Sequence, residues 1–161
     1  MKIGIISDTH GNYNSVENAV TLAQDMDMWL HSGDCVPDAE YLQSLVDVPV
    51  HFVAGNCDWP MNDTTYEKII EVPGHKIFLT HGHNYGVRYT QEYVMEAAES
   101  QGADIAVYGH THIVDVMKGD NILVLNPGSA SRPRDENQGS FMIMEIFEGK
   151  EPEVQVIRLK R

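Results

Sequence analysis

Short apolar runs alternate with amphipathic segments in the first half of the chain. The apolar runs predict strands over residues 2–6, 28–31 and 49–54. Apolar residues spaced by three and four predict a helix over residues 15–26, capped by Asn14, and a second one from Asp38 to residue 45. Strands that alternate with helices are typical of βαβ units, so this half predicts a parallel sheet.

The second half is richer in strands. A hairpin is predicted over residues 67–72 and 76–80, followed by a helix over residues 90–101. Further apolar runs predict strands over residues 104–108, 114–118, 121–125, 140–147 and 153–159. Short turns separate the last four of these strands and indicate antiparallel pairing. The prediction is one α/β domain over residues 1–161, with two mixed β-sheets packed face to face as a sandwich and helices outside.

Five of the predicted strands end in polar turns. The turns are Asp8-x-His10, Gly33-Asp34, Gly55-Asn56-Cys57-Asp58, His81-Gly82-His83 and Gly109-His110-Thr111-His112. Functional groups collect at the carboxyl ends of strands in α/β sheets, and neighbouring strands lie only ~4.8 Å apart. The side chains of these turns are therefore expected to meet in one small volume. His31 and His51 lie within apolar runs instead, and are expected to be ordinary core or edge residues.

The residue types in these turns indicate metal binding. Imidazole and carboxylate bind Zn, Mn, Fe and Ni, and carboxylate and amide oxygens suit Mn and Mg. Seven candidate ligands are present: Asp8, His10, Asp34, Asn56, His81, His110 and His112. Seven ligands exceed the three protein ligands typical of a catalytic site with one metal, and they suit two ions that share a carboxylate.

Composition narrows the possible partners. The chain carries 24 Asp and Glu against 11 Lys and Arg, a net charge of −13. Proteins that grip nucleic acid through a broad basic face need many Lys and Arg contacts, so a stable nucleic-acid complex is not expected, nor is binding to an anionic membrane. The two cysteines do not form a CxxC pair, and no secretory signal is evident, which favours a cytoplasmic protein.

The five polar turns, in this order, resemble the motifs of the calcineurin-like metallophosphoesterase superfamily. The short chain and the segment Asn126-Pro127-Gly128-Ser129 are similar to its small YfcE/MJ0936-like phosphodiesterase family. The resemblance implies a metallo-dependent phosphatase-like four-layer fold. It also implies a dinuclear phosphoesterase that hydrolyses small phosphodiesters by in-line attack of a hydroxide bridging two metal ions.

The resemblance assigns the ligands to two sites. Asp8, His10 and His112 would hold one ion, Asn56, His81 and His110 would hold the other, and Asp34 would bridge them. Members of the family use Mn, Ni, Fe, Zn or Mg, and Mn is the expected ion here. Small members often form dimers or tetramers, so a homodimer or homotetramer is expected.

The general acid is left open by Cys57. Many members of the superfamily carry a histidine at this position, which can stabilise the transition state or protonate the leaving group. A thiol with a reference pKa of ~8.5 replaces imidazolium poorly. His83 is a candidate for the acid or for orienting a ligand, and Asp58 is expected to hold a ligand histidine in its tautomer.

Two further questions are left open by the sequence. The segment that begins at Asn126 is either a loop beneath the site or a support for Arg132 or Arg134 in binding substrate phosphate. The alternatives to a phosphodiesterase are a non-catalytic metal-binding scaffold similar to the retromer subunit of this fold, a phosphomonoesterase or a nuclease. The acidic composition weakens the nuclease alternative.

Overall fold

A computed structural model describes residues 1–59, 64–136 and 138–160 of the chain. Within these residues the strands are β1 Lys2–Ile6, β2 Met28–His31, β3 Val50–Phe52, β4 Glu67–Val72, β5 His75–Thr80, β6 Ile105–Val107, β7 Val114–Lys118, β8 Leu123–Pro127, β9 Ser140–Glu145 and β10 Glu153–Arg158. The helices are α1 Tyr13–Leu22, α2 Val36–Leu45 and α3 Glu92–Ser100, with a 3-10 turn over His83–Tyr85.

The strands form two mixed five-stranded sheets. The first has the order β10-β9-β1-β2-β3, in which β1, β2 and β3 are parallel and β9 is antiparallel to both of its neighbours. The second has the order β4-β5-β6-β8-β7, in which β5, β6 and β8 are parallel between two antiparallel edge strands. The predicted pair of mixed sheets is confirmed. The antiparallel pairing predicted for the tail is confirmed for β7 with β8 and for β9 with β10, and β8 also pairs in parallel with β6.

Three apolar clusters hold the layers together. Ile3 and Ile5 of the first sheet pack against Ile77 and Leu79 of the second, at the centre of the sandwich. The outer face of the first sheet packs on α1 and α2, and the outer face of the second packs on α3. Both faces of the central strands are therefore buried, which explains why they appear in the sequence as uninterrupted apolar runs. No helix among the described residues is long and apolar enough to cross a membrane.

The first two helices begin earlier than predicted. Helix α1 runs from residue 13 to residue 22 instead of 15–26, because the side chain of Asn12, and not that of Asn14, accepts the backbone N–H of Ser15 at 3.1 Å. Helix α2 begins at Val36, with Pro37 in its first turn, where the missing N–H of proline costs nothing. The carboxylate of Asp38 accepts the N–H of Gly11 at 2.8 Å and ties α2 to the first polar turn.

Candidate metal centre

The five polar turns meet at one end of the sandwich. Strands β1, β2 and β3 are parallel neighbours in one sheet, and β5 and β6 are parallel neighbours in the facing sheet, so their carboxyl ends point to the same edge. Asp8 and His81 are 0% exposed, and Asp34 is only 2% exposed. Carboxylates and imidazoles buried this deeply need partners, because water cannot solvate them.

One group of ligand atoms comes from Asp8, His10 and His112. The two Nε2 atoms of His10 and His112 lie 3.2 Å apart. Asp8 Oδ1 lies 3.1 Å from Nε2 of His112 and 3.9 Å from Nε2 of His10. These three side chains thus offer ligand atoms within 4.8 Å of one another, the spacing of a metal site.

A second group is centred on His81. Its Nε2 lies 3.4 Å from Asp34 Oδ2 and 3.1 Å from Asn56 Oδ1. The same Oδ2 atom of Asp34 lies 3.9 Å from Nε2 of His10, so this carboxylate lies between the two groups. The ring of His110 stands 5.1 Å from that of His81, measured between centroids. Its nitrogen atoms are outside the compact groups found among the described residues.

The ring orientations of His81 and His112 place a nitrogen lone pair of each ring next to a carboxylate oxygen. Nδ1 of His81 donates to the carbonyl of Ser32, and Nδ1 of His112 donates to the carbonyl of Arg132, each at 2.7 Å. In the neutral ring, Nε2 is then an acceptor that faces the oxygen of Asp34 or Asp8. Two facing acceptors repel each other unless a proton or a metal ion lies between them. The residues present therefore fit a metal.

Asp8 carries a second sign of an ion. Its Oδ2 atom accepts hydrogen bonds from Ser7 Oγ at 2.6 Å and from the backbone N–H of His110 at 3.0 Å. Its Oδ1 atom is buried and has no aligned hydrogen-bond donor among the described residues, although His112 is close. An unpaired buried carboxylate oxygen is costly, and a metal ion would offset this cost.

The backbone at the site is strained. Positive φ angles occur at five of the seven candidate ligands: Asp8, His10, Asp34, His110 and His112. For residues other than glycine this conformation costs of order 1–3 kcal/mol, and such strain clusters at functional sites. The polar turns therefore hold these five side chains at a conformational cost.

Glycines in the polar turns make room for the carboxylates. A Cβ atom on Gly55 would overlap the carboxylate of Asp34, and one on Gly109 would overlap Ser7 and crowd Asp8. Both positions thus need glycine for close approach. The glycines that precede Asn56 and His110 in the sequence are explained by this contact.

Charge is distributed unevenly over the titratable groups. Burial opposes ionisation of Asp34, but hydrogen bonds from His81 and Cys57 outweigh it and hold the pKa of this carboxyl well below its usual range. Burial also disfavours charge on His81, yet the carboxylates of Asp34 and Asp8 raise its pKa. Burial, the charge of His81 and the charge of Arg88 lower the pKa of His110 to about 4. The site therefore combines ionised carboxylates with a His110 ring that favours the neutral form needed for metal binding, whereas its carboxylate neighbours favour the protonated form of His81.

Asp58 does not orient a histidine, and that prediction was wrong. Its carboxylate accepts three backbone N–H groups, those of Gly55 and Val36 at 2.8 Å and that of Asp34 at 3.1 Å. Backbone carbonyls orient His81 and His112 instead. Asp58 fixes the two turns that carry Asp34 and Asn56.

Cys57 contributes through its backbone. Its N–H donates to Asp34 Oδ1 at 3.0 Å, a bond that any residue type other than proline could make. Burial and the nearby carboxylate of Asp34 raise the pKa of the thiol to about 11, so it remains protonated at neutral pH. His83 does not line the open cavity that adjoins these side chains. Its ring packs beside His81 at 5.4 Å and Tyr66 at 5.5 Å, which favours a packing role over proton donation.

Five of the seven candidate ligands line an open cavity of about 490 Å³: His10, Asp34, Asn56, His110 and His112. Three arginines line it too: Arg88, Arg132 and Arg134. The segment from Asn126 braces this region, since Ser129 Oγ donates to the carbonyl of Asp8 at 2.7 Å. The segment therefore supports the site from beneath, and binding of substrate phosphate by Arg132 or Arg134 stays a prediction. Arg88 was missed, because no motif or spacing distinguishes it in the sequence.

A sequence model of the calcineurin-like phosphoesterase superfamily domain matches residues 1–149. The chain belongs to this superfamily. The predicted family and the prediction of a hydrolase acting on phosphate esters are confirmed at this level. Metallophosphoesterases of this superfamily use divalent metals, and the clustered side chains are suited to hold them.

Relatives and solved structures agree with this assignment. The chain is 33% identical over 149 residues to the probable metallophosphoesterase YsnB of Bacillus subtilis, covering 91% of this chain and 85% of that protein. It is 32% identical over 147 residues to the phosphodiesterase MJ0936 of Methanocaldococcus jannaschii, covering 80% of this chain and 83% of that protein. A predicted phosphoesterase of Streptococcus pneumoniae superposes with a TM-score of 0.83 at 27% identity, covering 98% of this chain and 88% of that one.

The same fold occurs in Vps29. The Entamoeba histolytica protein, in complex with zinc, has a TM-score of 0.75 at 22% identity, covering 98% of this calcineurin-like chain and 99% of its own. At this identity the likeness concerns the fold alone. It confirms the predicted sandwich of two mixed sheets with helices outside.

Proposed function

We propose that this protein is a dinuclear metal-dependent phosphodiesterase that hydrolyses small phosphodiesters, with manganese as the expected ion. One observation carries the proposal. Nε2 of His81 and Nε2 of His112 both face carboxylate oxygens, while their Nδ1 atoms are committed to backbone carbonyls. A metal ion between each pair would relieve the repulsion without protonating the ring, and each histidine lies nearest to a different carboxylate, which supports two ions.

The two groups of atoms support the ligand sets that the family resemblance implies. Asp8, His10 and His112 would hold one ion. Asn56, His81 and His110 would hold the other, and Asp34, whose Oδ2 atom faces both His10 and His81, would bridge them. Two divalent ions held in this way would polarise a phosphoryl oxygen and lower the pKa of bound water.

Backbone groups of the chain orient the candidate ligands. The carbonyls of Ser32 and Arg132 fix the rings of His81 and His112, and the N–H of Cys57 fixes one oxygen of Asp34. Such outer partners matter because their loss costs about 10–100-fold in metal affinity or activity. The arginines beside the cavity offer charged donors to a phosphate.

The leaving group receives little help from the side chains in reach. The Cys57 thiol has a raised pKa, and His83 is outside the residues that line the cavity. We therefore expect esters with good leaving groups, such as nitrophenolate, to be hydrolysed much faster than alkyl esters. Asp58 and His83 are not assigned a part in proton transfer.

The test is hydrolysis of bis-p-nitrophenyl phosphate with and without manganese. The expected result is turnover that requires the metal and is lost in Asp34→Asn. Asp47→Asn removes the same charge at an exposed loop position and should retain full activity. Full activity of Asp34→Asn at normal metal content would refute the two-metal assignment.

A scaffold function makes a different prediction. A non-catalytic metal-binding scaffold would bind manganese and hydrolyse none of a panel of phosphodiesters, monoesters and single-stranded nucleic acids. A phosphomonoesterase or a nuclease would prefer the corresponding members of the panel. A cytoplasmic location and a homodimer or homotetramer stay predictions, which fractionation and sedimentation would test.

A further inference from the structure

Arginine is concentrated at the cavity. The chain contains five arginines, and three of them, Arg88, Arg132 and Arg134, line this one cavity. Acidic residues outnumber basic ones by 24 to 11, so an arginine at an arbitrary surface position would have many carboxylates to pair with. The distribution therefore points to an anionic ligand at the cavity.

The three arginines also differ from Arg158. Arg158 is not among the residues that line the cavity, and it forms a two-pronged contact with Asp135, with Nη2 3.0 Å from Oδ2 and Nη1 3.1 Å from Oδ1. Among residues 1–59, 64–136 and 138–160, no carboxylate lies within ion-pair distance of any of the three cavity arginines. Their guanidinium groups are thus available to a ligand.

The arginines approach the cavity from two sides. Arg132 and Arg134 follow β8 and lie beside His10 and His112, where Arg134 N–H donates to the carbonyl of His112. Arg88 comes from the segment after β5, on the side of His110. An anion centred on the metal ligands would therefore have positive charge at both flanks.

The amount of positive charge exceeds what a simple diester needs. A phosphodiester carries one negative charge, which the cations of the proposed dinuclear site already meet. We propose that Arg88 binds a second anionic group of the substrate, so that the preferred substrate class is a phosphodiester bearing a further phosphate. This inference rests on the proposed function and assigns a substrate class to the same site.

Two nitrophenyl esters isolate the second charge. Thymidine 5′-(p-nitrophenyl phosphate) and its 3′-phosphorylated derivative share the scissile bond and the leaving group. Exposed aromatic side chains at Trp59 and Tyr89 flank the lining segments, which makes an aromatic base a suitable carrier for the probe. Because a hydrogen bond to a charged group contributes about 10- to 100-fold, the 3′-phosphate should raise kcat/KM by about that factor.

Substitution of Arg88 should remove the preference. In Arg88→Met the ratio of kcat/KM for the two esters should fall to about one, mainly through a higher KM for the phosphorylated ester, and Arg88→Lys should restore part of it. Lys150→Met removes one positive charge outside the cavity lining and should keep the preference of the unsubstituted protein. An unchanged ratio in Arg88→Met would overturn the inference.

A binding measurement separates this inference from the proposed function. Titration calorimetry with thymidine 3′,5′-bisphosphate, in the presence of manganese, should show weaker binding to Arg88→Met than to Lys150→Met by about 10-fold or more. If neither ester is hydrolysed, the proposed function fails, and the titration still decides the role of Arg88. Equal affinities in the two variants would refute that role whether or not the esters are cleaved.

Discussion

Acidification should destabilise the protein through His31. This residue is 0% exposed at the end of β2, where burial lowers its pKa from 6.5 to about 4. The N–H of Gly33 donates to its Nδ1 at 3.2 Å, so that atom carries no proton, and its Nε2 donates to Thr9 Oγ1 at 2.9 Å. Protonation of Nδ1 would break the bond that holds Gly33, next to Asp34, the residue proposed to bridge the two ions.

The sign and size of the effect follow from the two pKa values. The folded state favours the neutral ring, so its contribution to stability is complete above the unfolded pKa of 6.5 and is lost as the pH falls below it. At about pH 5 the protein has lost about 2 kcal/mol of its free energy of unfolding. The loss levels off at about 3 kcal/mol once the pH is below the pKa of the folded state.

Urea unfolding of metal-free protein measures this loss. Between about pH 7.5 and 5, the free energy of unfolding should fall by about 2 kcal/mol more in the unsubstituted protein than in His31→Gln, because glutamine does not titrate. His51→Gln is the control. His51 is only half-buried, so burial lowers its pKa by less than it lowers the pKa of His31. Equal losses in the unsubstituted protein and in His31→Gln would refute the reasoning.

Three further substitutions test separate parts of the account. Cys57→His should speed hydrolysis of alkyl phosphodiesters more than that of nitrophenyl esters, and no gain in the ratio of kcat/KM would count against a missing acid. Asp58→Asn should weaken manganese binding about 10–100-fold in a calorimetric titration, because the Asp34 and Asn56 turns lose an anchoring acceptor. Phe141→Ala, which empties the space beside Trp29, should cost about 3–5 kcal/mol in urea unfolding, and a loss below about 1 kcal/mol would contradict the packing.

The strands and the ligand types could be predicted because they depend on local patterns. Each central strand is buried on both faces and so stands out as an apolar run, and the ligands follow these runs directly. Parallel pairing then brings the turns after β1, β2 and β3 to one edge. The seven candidate ligands were named from this placement and from the family resemblance.

The roles of supporting residues could not be predicted, because they depend on long-range contacts. Asp58 was expected to hold a histidine, yet it binds the backbone of Asp34 and Gly55, a contact set by how two turns face each other. Arg88 reaches the cavity from a segment without any motif. The start of α1 was misplaced because Asn12 and Asn14 are both suitable caps and only the turn geometry selects one of them.

The central claim is that two metal ions are bound and share Asp34. Elemental analysis of protein dialysed against manganese, combined with a calorimetric titration, measures it directly. The account predicts two ions per chain, and a reduced content in Asp34→Asn with the fold intact by circular dichroism, because this carboxylate faces the ligand atoms of both groups. A single ion per chain, or two ions with unchanged affinity in Asp34→Asn, would contradict it.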